Sequence, residues 1–154
     1  MAQLNPLGHI SIGVRDYAVS KAFYSAALAP LGLKLVYDSE ASPSPSTPSS
    51  PNTTTTKKVR TLGYGRDAQH EVLNIFEFGS EAAAPGPGFH LAFDAPSRMA
   101  VVGFHAQATG AGGTDNGLPG VRRHYGASYF AAFVVDPDGW RLEAAGKKER
   151  AAST

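Results

Sequence analysis

The stretch GHISIGVRDYAVSKAFYSAALAPLGL, residues 8–33, holds a strand and a helix in a single run. Its first part alternates apolar residues with small or polar ones, which predicts a half-buried β-strand. Asp16 stands directly before a segment with apolar residues at helical spacing, and aspartate is a favourable N-cap. Pro30 and Gly32 predict that this helix ends near Ala29. The chain therefore opens with a strand followed by a helix.

The same order of elements returns later in the chain. An offset of 81 residues pairs His9 with His90 and Phe23 with Phe104. Near the end of each half an offset of 69 gives four further pairs: Tyr64 with Phe133, Asp67 with Asp136, Leu73 with Leu142, and Asn74 with Glu143. The first half must then hold twelve extra residues, and the segment ASPSPSTPSSPNTTTT interrupts it at the required place. Two consistent registers predict two copies of one structural module.

Each copy reads as a βαβββ unit, so the expected class is α+β with a mixed sheet. We expect a single domain over residues 1–154, with module 1 at about 7–79, module 2 at about 88–145 and a frayed tail at 146–154. The Ser/Pro/Thr insertion, about 41–58, is predicted to be a disordered surface loop because it holds too little apolar surface to offset chain entropy. The second strand of module 2, within 114–123, has the weakest signal.

Composition narrows the function. The chain has 154 residues and no cysteine, which excludes disulfides, zinc fingers, iron–sulfur clusters and cysteine nucleophiles. The net charge is +1 and the sequence has no long basic run, so we expect no basic surface patch of the kind that binds nucleic acid or an anionic membrane. No signal-like or membrane-length apolar segment is present, so a cytoplasmic location is the expectation.

Two βαβββ modules, each with a histidine at its first strand, resemble the vicinal oxygen chelate superfamily. This group includes glyoxalase I, fosfomycin-resistance proteins, bleomycin-resistance proteins and extradiol dioxygenases. Three segments carry the resemblance: residues 8–33, GYGRD at 63–67, and GTDNGLPGVRRHYGASYFAAFVVDPDGWRLEAA at 113–145. The resemblance covers about residues 7–145 and implies two modules whose curved mixed sheet surrounds a cleft.

The resemblance also implies a metal site. Members of the family place ligands on the first and last strands of each half, which correspond here to His9, Asn74, His90 and Glu143. Glyoxalase I relatives have a carboxylate where Asn74 falls, so the set of two histidines and Glu143 is more similar to that of dioxygenases and fosfomycin-resistance proteins. Such a set suits one divalent metal, Fe, Mn, Zn, Ni or Co, with positions left open for the vicinal oxygens of a substrate. Glu77 is the alternative ligand if the register is wrong.

Further residues are candidates for the rim and wall of the cleft. His124 and Tyr125 are candidates for a catalytic acid or base beside Glu143, or for binding an anionic group together with Arg122. The expected substrate pocket comprises Asn74, Tyr64, Phe93, Arg122, Tyr129 and Phe133. Each also has a purely structural interpretation, namely core packing for the aromatic residues and a solvated basic loop around Arg122. Glu143 itself has an alternative partner in Arg141.

Three functions remain open at this point. The sequence favours a metal-dependent glyoxalase-like lyase or dioxygenase, with isomerase and transferase chemistry as neighbouring possibilities. The alternative is a metal-free protein that sequesters a small ligand, as bleomycin-resistance relatives do. A degenerate fold that serves as an interaction module is the third. The expected partner is a small-molecule substrate, and a homodimer is possible, so the site forms either within one chain or across a dimer.

Overall fold

The computed structural model describes residues 6–41 and 58–146, so nearly all of the predicted insertion and tail lies outside the described residues. Module 1 consists of β1 (Ile10–Val14), α1 (Tyr17–Leu28), a 3-10 turn (Ala29–Leu31), β2 (Lys34–Asp38), β3 (Thr61–Gly65) and β4 (Glu71–Glu77). A second 3-10 turn (Gly79–Glu81) follows. Module 2 consists of β5 (Leu91–Ala95), α2 (Arg98–Gly110), β6 (Thr114–Val121), β7 (Phe130–Val135) and β8 (Arg141–Gly146). The predicted order of elements is confirmed, including the weak second strand of module 2.

Both helices begin at the predicted caps. The Asp16 carboxylate accepts a hydrogen bond of 2.9 Å from the Val19 amide, and the Ser97 hydroxyl accepts one of 3.1 Å from the Ala100 amide. Each bond satisfies an amide that has no partner within the first turn. At the other end of α1 the chain turns through Gly32, whose φ of 76° is readily available only to glycine.

The eight strands form two four-stranded mixed sheets, one in each module, as the expected α+β class of two βαβββ units requires. The strand orders are β1-β4-β3-β2 and β5-β8-β7-β6, and the second repeats the first. The first strand of each module runs parallel to the last, and all other neighbours are antiparallel. Each module therefore has its own mixed sheet, in which the first and last strands lie side by side.

One hydrophobic core joins the two modules. The helices α1 and α2 contact each other, and the core between helices and sheets includes Phe23 and Phe104, both fully buried. Strand residues that alternate with the core residues point to the opposite side of each sheet, which we call the outer face. No helix of the described residues is long and apolar enough to cross a bilayer.

The turn between β7 and β8 connects module 2 to module 1. The Tyr24 hydroxyl donates to the Asp136 carboxylate at 2.7 Å, and the Trp140 indole N–H donates to the Gly13 carbonyl at 3.0 Å. Burial raises the pKa of Asp136 above its ordinary value, although Tyr24 and two backbone amides donate to this carboxyl. These bonds fix the relative position of the two modules within one chain.

Candidate metal centre and adjoining cavity

His90 and Glu143 meet on the outer face of module 2. Leu142 and Ala144 belong to the core, so Glu143 between them points to the other side of the sheet. Glu143 pairs with Ala92 across the parallel ladder, and His90 lies directly before β5 on the same face. His90 Nε2 lies 2.8 Å from Glu143 Oε2, and the Glu143 residue is only 3% exposed. Two of the three predicted ligands are therefore adjacent.

Tyr129 holds the other oxygen of the same carboxylate. Its hydroxyl donates to Glu143 Oε1 at 2.6 Å. Burial, together with the hydrogen bond and the negative charge of Glu143, raises the pKa of Tyr129 to about 12. The hydroxyl therefore keeps its proton at neutral pH and remains a donor. As a result Glu143 has one oxygen fixed by Tyr129 and the other directed at His90.

A cavity of about 500 Å³ adjoins this pair. The residues that line it include Leu118, Pro119, Arg122, His124, Tyr125 and Phe133. Phe133 stands opposite Glu143 in the β7–β8 ladder, and its ring centroid lies 6.3 Å from that of His90. On the other side, the Tyr125 ring lies 5.4 Å from the Tyr129 ring. Two cavity residues thus contact the neighbourhood of the pair, Phe133 through His90 and Tyr125 through Tyr129, while His90 and Glu143 do not line the cavity themselves.

The structure does not bring His9 to this pair within one chain. His9 is exposed and lies directly before β1 in module 1, two residues from Ser11, which pairs with Asn74. Asn74 therefore occupies the position in module 1 that Glu143 occupies in module 2. Within residues 6–41 and 58–146 of a single chain, no three His, Asp or Glu side chains are close enough to hold a metal ion.

The expectation that Tyr64 and Phe93 line the pocket requires correction. Tyr64 is fully buried in the core and its hydroxyl lies 2.9 Å from the Ser25 hydroxyl, while Phe93 packs against the core. Tyr64 points into the core because the strand pairing differs by one residue from the sequence offset that matched Tyr64 with Phe133. Gly63 pairs with Asn74 in module 1, whereas Phe133 pairs with Glu143 in module 2. A shift of one residue moves a side chain to the other face of the sheet, so the counterpart of Phe133 is Gly63.

The structure gives Glu77, Arg141 and two further histidines partners other than the candidate metal site. Glu77, the fallback ligand, accepts two hydrogen bonds of 2.7 and 2.6 Å from Arg60. Arg141 donates to the Gly86 carbonyl at 2.9 Å rather than to Glu143. Two further histidines are paired with aspartates: His70 with Asp67 at 2.8 Å, and His105 with Asp115 at 2.7 Å.

Glu71 is a residue that sequence reasoning missed. A Cβ atom built on Gly63 would lie 2.0 Å from Glu71 Oε2, so the Glu71 carboxylate occupies the space over this glycine on the outer face of module 1. Because Gly63 pairs with Asn74, the carboxylate lies near the position that corresponds to Glu143 of module 2. The available signal was the glycine within β3, since glycine inside a strand often marks a close approach of another group.

The chain is similar to known structures over nearly its whole length. It is 27% identical to a glyoxalase/bleomycin resistance protein from Albidiferax ferrireducens T118, with a TM-score of 0.69 over 93% of this chain and 100% of that one. Glyoxalase I from Zea mays is 18% identical, with a TM-score of 0.65 over 93% of this chain and 45% of that one. The fosfomycin resistance protein FosX from Listeria monocytogenes is 15% identical, with a TM-score of 0.60 over 95% and 96%. The latter two similarities show the fold alone.

The family assignment comes from the sequence. Among curated proteins, none matches this chain. The family model of the Glyoxalase/Bleomycin resistance protein/Dioxygenase superfamily matches residues 6–144, which is both modules and the segment between them. With the paired βαβββ modules of the structure, this match shows that the chain belongs to the Glyoxalase/Bleomycin resistance protein/Dioxygenase superfamily.

Proposed function

We propose that this chain is a small-molecule metalloenzyme whose centre forms between two copies. In this proposal His90 and Glu143 of one copy bind a divalent metal together with His9 of the second copy. The observation that carries the proposal is the His90–Glu143 pair, in which a carboxylate with only 3% exposure directs one oxygen at an imidazole 2.8 Å away.

The donor atoms suit such a metal. An imidazole nitrogen and a carboxylate oxygen are ligands of first-row divalent cations, and the chain has no thiolate that would favour softer ions. Tyr129 fixes the carboxylate by its 2.6 Å hydrogen bond, as partners of metal ligands commonly do. A buried carboxylate is costly without a compensating positive charge, and a bound cation supplies that charge. Fe, Mn, Zn, Ni and Co all remain compatible with this donor set.

Two copies are required because the ligands lie on different sheets. His9 lies at the outer face of module 1 and His90 at the outer face of module 2, and the two sheets share no strand. A twofold arrangement that sets module 1 of one copy against module 2 of the other brings these faces together and creates two equal sites. The same arrangement adds Asn74 and Glu71 of the second copy to the surroundings of each site.

The chemistry follows from what the residues can do. A bound divalent metal acts as a Lewis acid on two adjacent substrate oxygens, which suits lyase, isomerase, transferase or dioxygenase reactions. Glu143 is a metal ligand in this proposal, and the Tyr129 hydroxyl holds the Glu143 carboxylate in position. In this proposal His124 and Tyr125 move a proton on a substrate bound in the cavity, which both residues line with ring centroids 4.1 Å apart.

Metal analysis of single and mixed variants tests the proposal. Wild-type protein purified without chelators is expected to hold about one metal per chain, while His9→Ala and His90→Ala each hold almost none. His70→Ala is the matched control, because His70 is exposed and paired with Asp67. Co-expression of His9→Ala and His90→Ala chains with different tags, followed by purification of the mixed dimer, is expected to restore about one metal per two chains, since one of the two sites is then complete.

The outcomes separate the alternatives. If both variants lose metal and the mixed dimer stays empty, the three ligands come from one chain. Loss of metal in His90→Ala but not in His9→Ala removes His9 from the site. Metal-free wild-type protein, together with retained ligand binding in all variants, favours the sequestering protein over the enzyme.

A further inference from the structure

Arg122 is held in a fixed position over β6 and β7. Its Nη2 donates to the Leu118 carbonyl at 2.6 Å, and its guanidinium carbon lies 5.3 Å from the centroid of the Phe133 ring. Two glycines of β6 leave the space for it. A Cβ atom on Gly117 would lie 3.2 Å from Nη2, and one on Gly120 would lie 3.5 Å from Nη1. The guanidinium thus lies along the strand and against an aromatic ring, so little side-chain entropy remains to be lost on binding.

The positive charge of Arg122 is available to a ligand. Among the residues that the structure describes, no carboxylate lies within ion-pair distance of this guanidinium. The cavity lining contains no acidic residue either. A guanidinium carries five N–H donors and stays charged at all ordinary pH values, whereas a carbonyl occupies only part of this capacity. The cavity therefore combines a fixed cation with donors that can form a fork around two oxygens.

Most of the remaining walls are apolar or aromatic, and Asn116 adds one polar amide side chain. Leu118, Pro119, Tyr125 and Phe133 line the cavity, whose volume of about 500 Å³ lies in the usual range for small-molecule sites. Two contacts connect Arg122 to the candidate metal ligands, namely the guanidinium over Phe133 at 5.3 Å and the Phe133 ring beside His90 at 6.3 Å. His90 and Glu143 themselves do not line the cavity, so Phe133 is the residue that the anion site and the candidate metal ligands share.

We propose that the cavity binds a small organic anion, whose carboxylate or phosphonate pairs with Arg122 and whose apolar body lies against Phe133 and Leu118. This defines the substrate class of the proposed enzyme: an oxyanion at one end and metal-binding oxygens at the other. The second half of that definition rests on the proposed function. The first half does not, because Arg122 and its surroundings come from one chain and involve no metal.

An NMR titration of the full-length protein, before and after chelator treatment, tests the anion site. The probes are benzoate, phenylphosphonate and the neutral isostere benzamide. Dissociation constants on the order of millimolar are expected for such small probes. Benzoate or phenylphosphonate is expected to bind at least about tenfold more tightly than benzamide, since a charge-assisted bidentate pair is lost with the amide. Whichever of the two anions binds more tightly identifies the carboxylate or the phosphonate as the preferred group.

Arg122→Gln and Arg123→Gln form a matched pair of variants, because they remove the same charge at adjacent positions. Arg122 lines the cavity, whereas Arg123 is exposed and does not. Arg122→Gln is expected to weaken anion binding roughly tenfold or more, and Arg123→Gln less than about twofold. Arg122→Lys, which keeps the charge but loses the fork, is expected to fall between wild type and Arg122→Gln. For each variant, an amide spectrum that is unchanged away from the cavity is the control that the protein is folded.

Three results would overturn the proposal. Equal weakening by the two glutamine variants would mean that the loop attracts anions only through its general charge. Benzamide binding as well as benzoate would remove the role of charge. Failure of both anions to bind wild-type protein would remove the site. If the protein binds no metal but still binds the anions after chelator treatment, the proposed metalloenzyme is wrong and the anion site stands.

Discussion

The outer faces of the two modules share one backbone design but carry different side chains. Asn74 and Glu143 occupy the same place in their sheets, as do Gly63 and Phe133. Module 2 thereby gains a buried carboxylate, an aromatic wall and a cavity. Module 1 instead presents the exposed His9 and the carboxylate of Glu71 lying over Gly63. The repeat thus preserves the strand pairing, while the chemistry is divided between the two faces.

The faces of the two sheets that pack against the helices, by contrast, carry similar side chains in the two modules. Phe23 and Phe104, which the repeat pairs, are both fully buried in one core cluster that extends through both modules. The bonds from Tyr24 to Asp136 and from Trp140 to Gly13 also cross between the modules. The two modules are therefore symmetric where they stabilise each other and asymmetric where they face a ligand.

The largest expected effect concerns this shared core. Phe23→Ala and Phe104→Ala are each expected to lower the free energy of unfolding by about 3–5 kcal/mol, because both remove a fully buried ring. Since one core serves both modules, each variant is expected to unfold in a single transition when followed by circular dichroism in urea. Val19→Ala, at an exposed position of α1, is the control and is expected to change stability little. Two separate transitions in either core variant would show that the modules fold independently.

A smaller effect distinguishes the modules in acid. Asp38 of module 1 accepts hydrogen bonds from the Tyr17 hydroxyl and from Lys21 at 2.7 Å, whereas the strand pairing places the apolar Leu118 at the corresponding position of module 2. Burial acts to raise the pKa of Asp38, but the bonds from Lys21, Tyr17 and the Glu40 amide outweigh it and lower the pKa from 3.8 to about 2.

The sign of the pH effect follows from this lowered pKa. The folded state holds Asp38 ionised, so its contribution is fully present above about pH 4 and is lost as the pH falls toward 2. Because Lys21 is partly exposed, the loss is expected to be about 1–2 kcal/mol. Urea unfolding of wild type and Asp38→Asn at pH 5, 3 and 2 measures it. The difference in stability between the two proteins should shrink with falling pH, and a constant difference would contradict the assignment.

The smallest effect concerns the glycine that separates the two outer faces. Gly63→Ala places a Cβ atom where the Glu71 carboxylate lies, at 2.0 Å, and at 3.1 Å from the Tyr37 Cβ. The flexible Glu71 side chain can move, so we expect a loss of stability of about 1 kcal/mol. In a Glu71→Ala background most of this loss should disappear, and a double-mutant cycle in urea measures the coupling. An equal loss in both backgrounds would mean that the strand backbone, not the carboxylate, requires glycine.

Much of the fold was predictable because local signals agreed with the tertiary structure. Asp16 and Ser97 mark the helix starts, and the offset of 81 residues relates the first strand and the helix of the two modules. The offset of 69 failed by one residue in β7. Its sequence FAAFVV is apolar on both faces, so alternation cannot tell which residues point outward. Tyr64 was consequently assigned to the pocket although it lies in the core.

The sequence by itself determined the βαβββ repeat, the helix caps and which strands His9, His90 and Glu143 lie in or directly before, because these depend on residues near one another or on a fixed offset. Only the tertiary structure decided which strands pair within each sheet, that His90 meets Glu143 while His9 does not, and that Glu71 lies over Gly63. Those relations depend on strand register and on the packing of one module against the other. Both are set by the whole core rather than by any short stretch of residues.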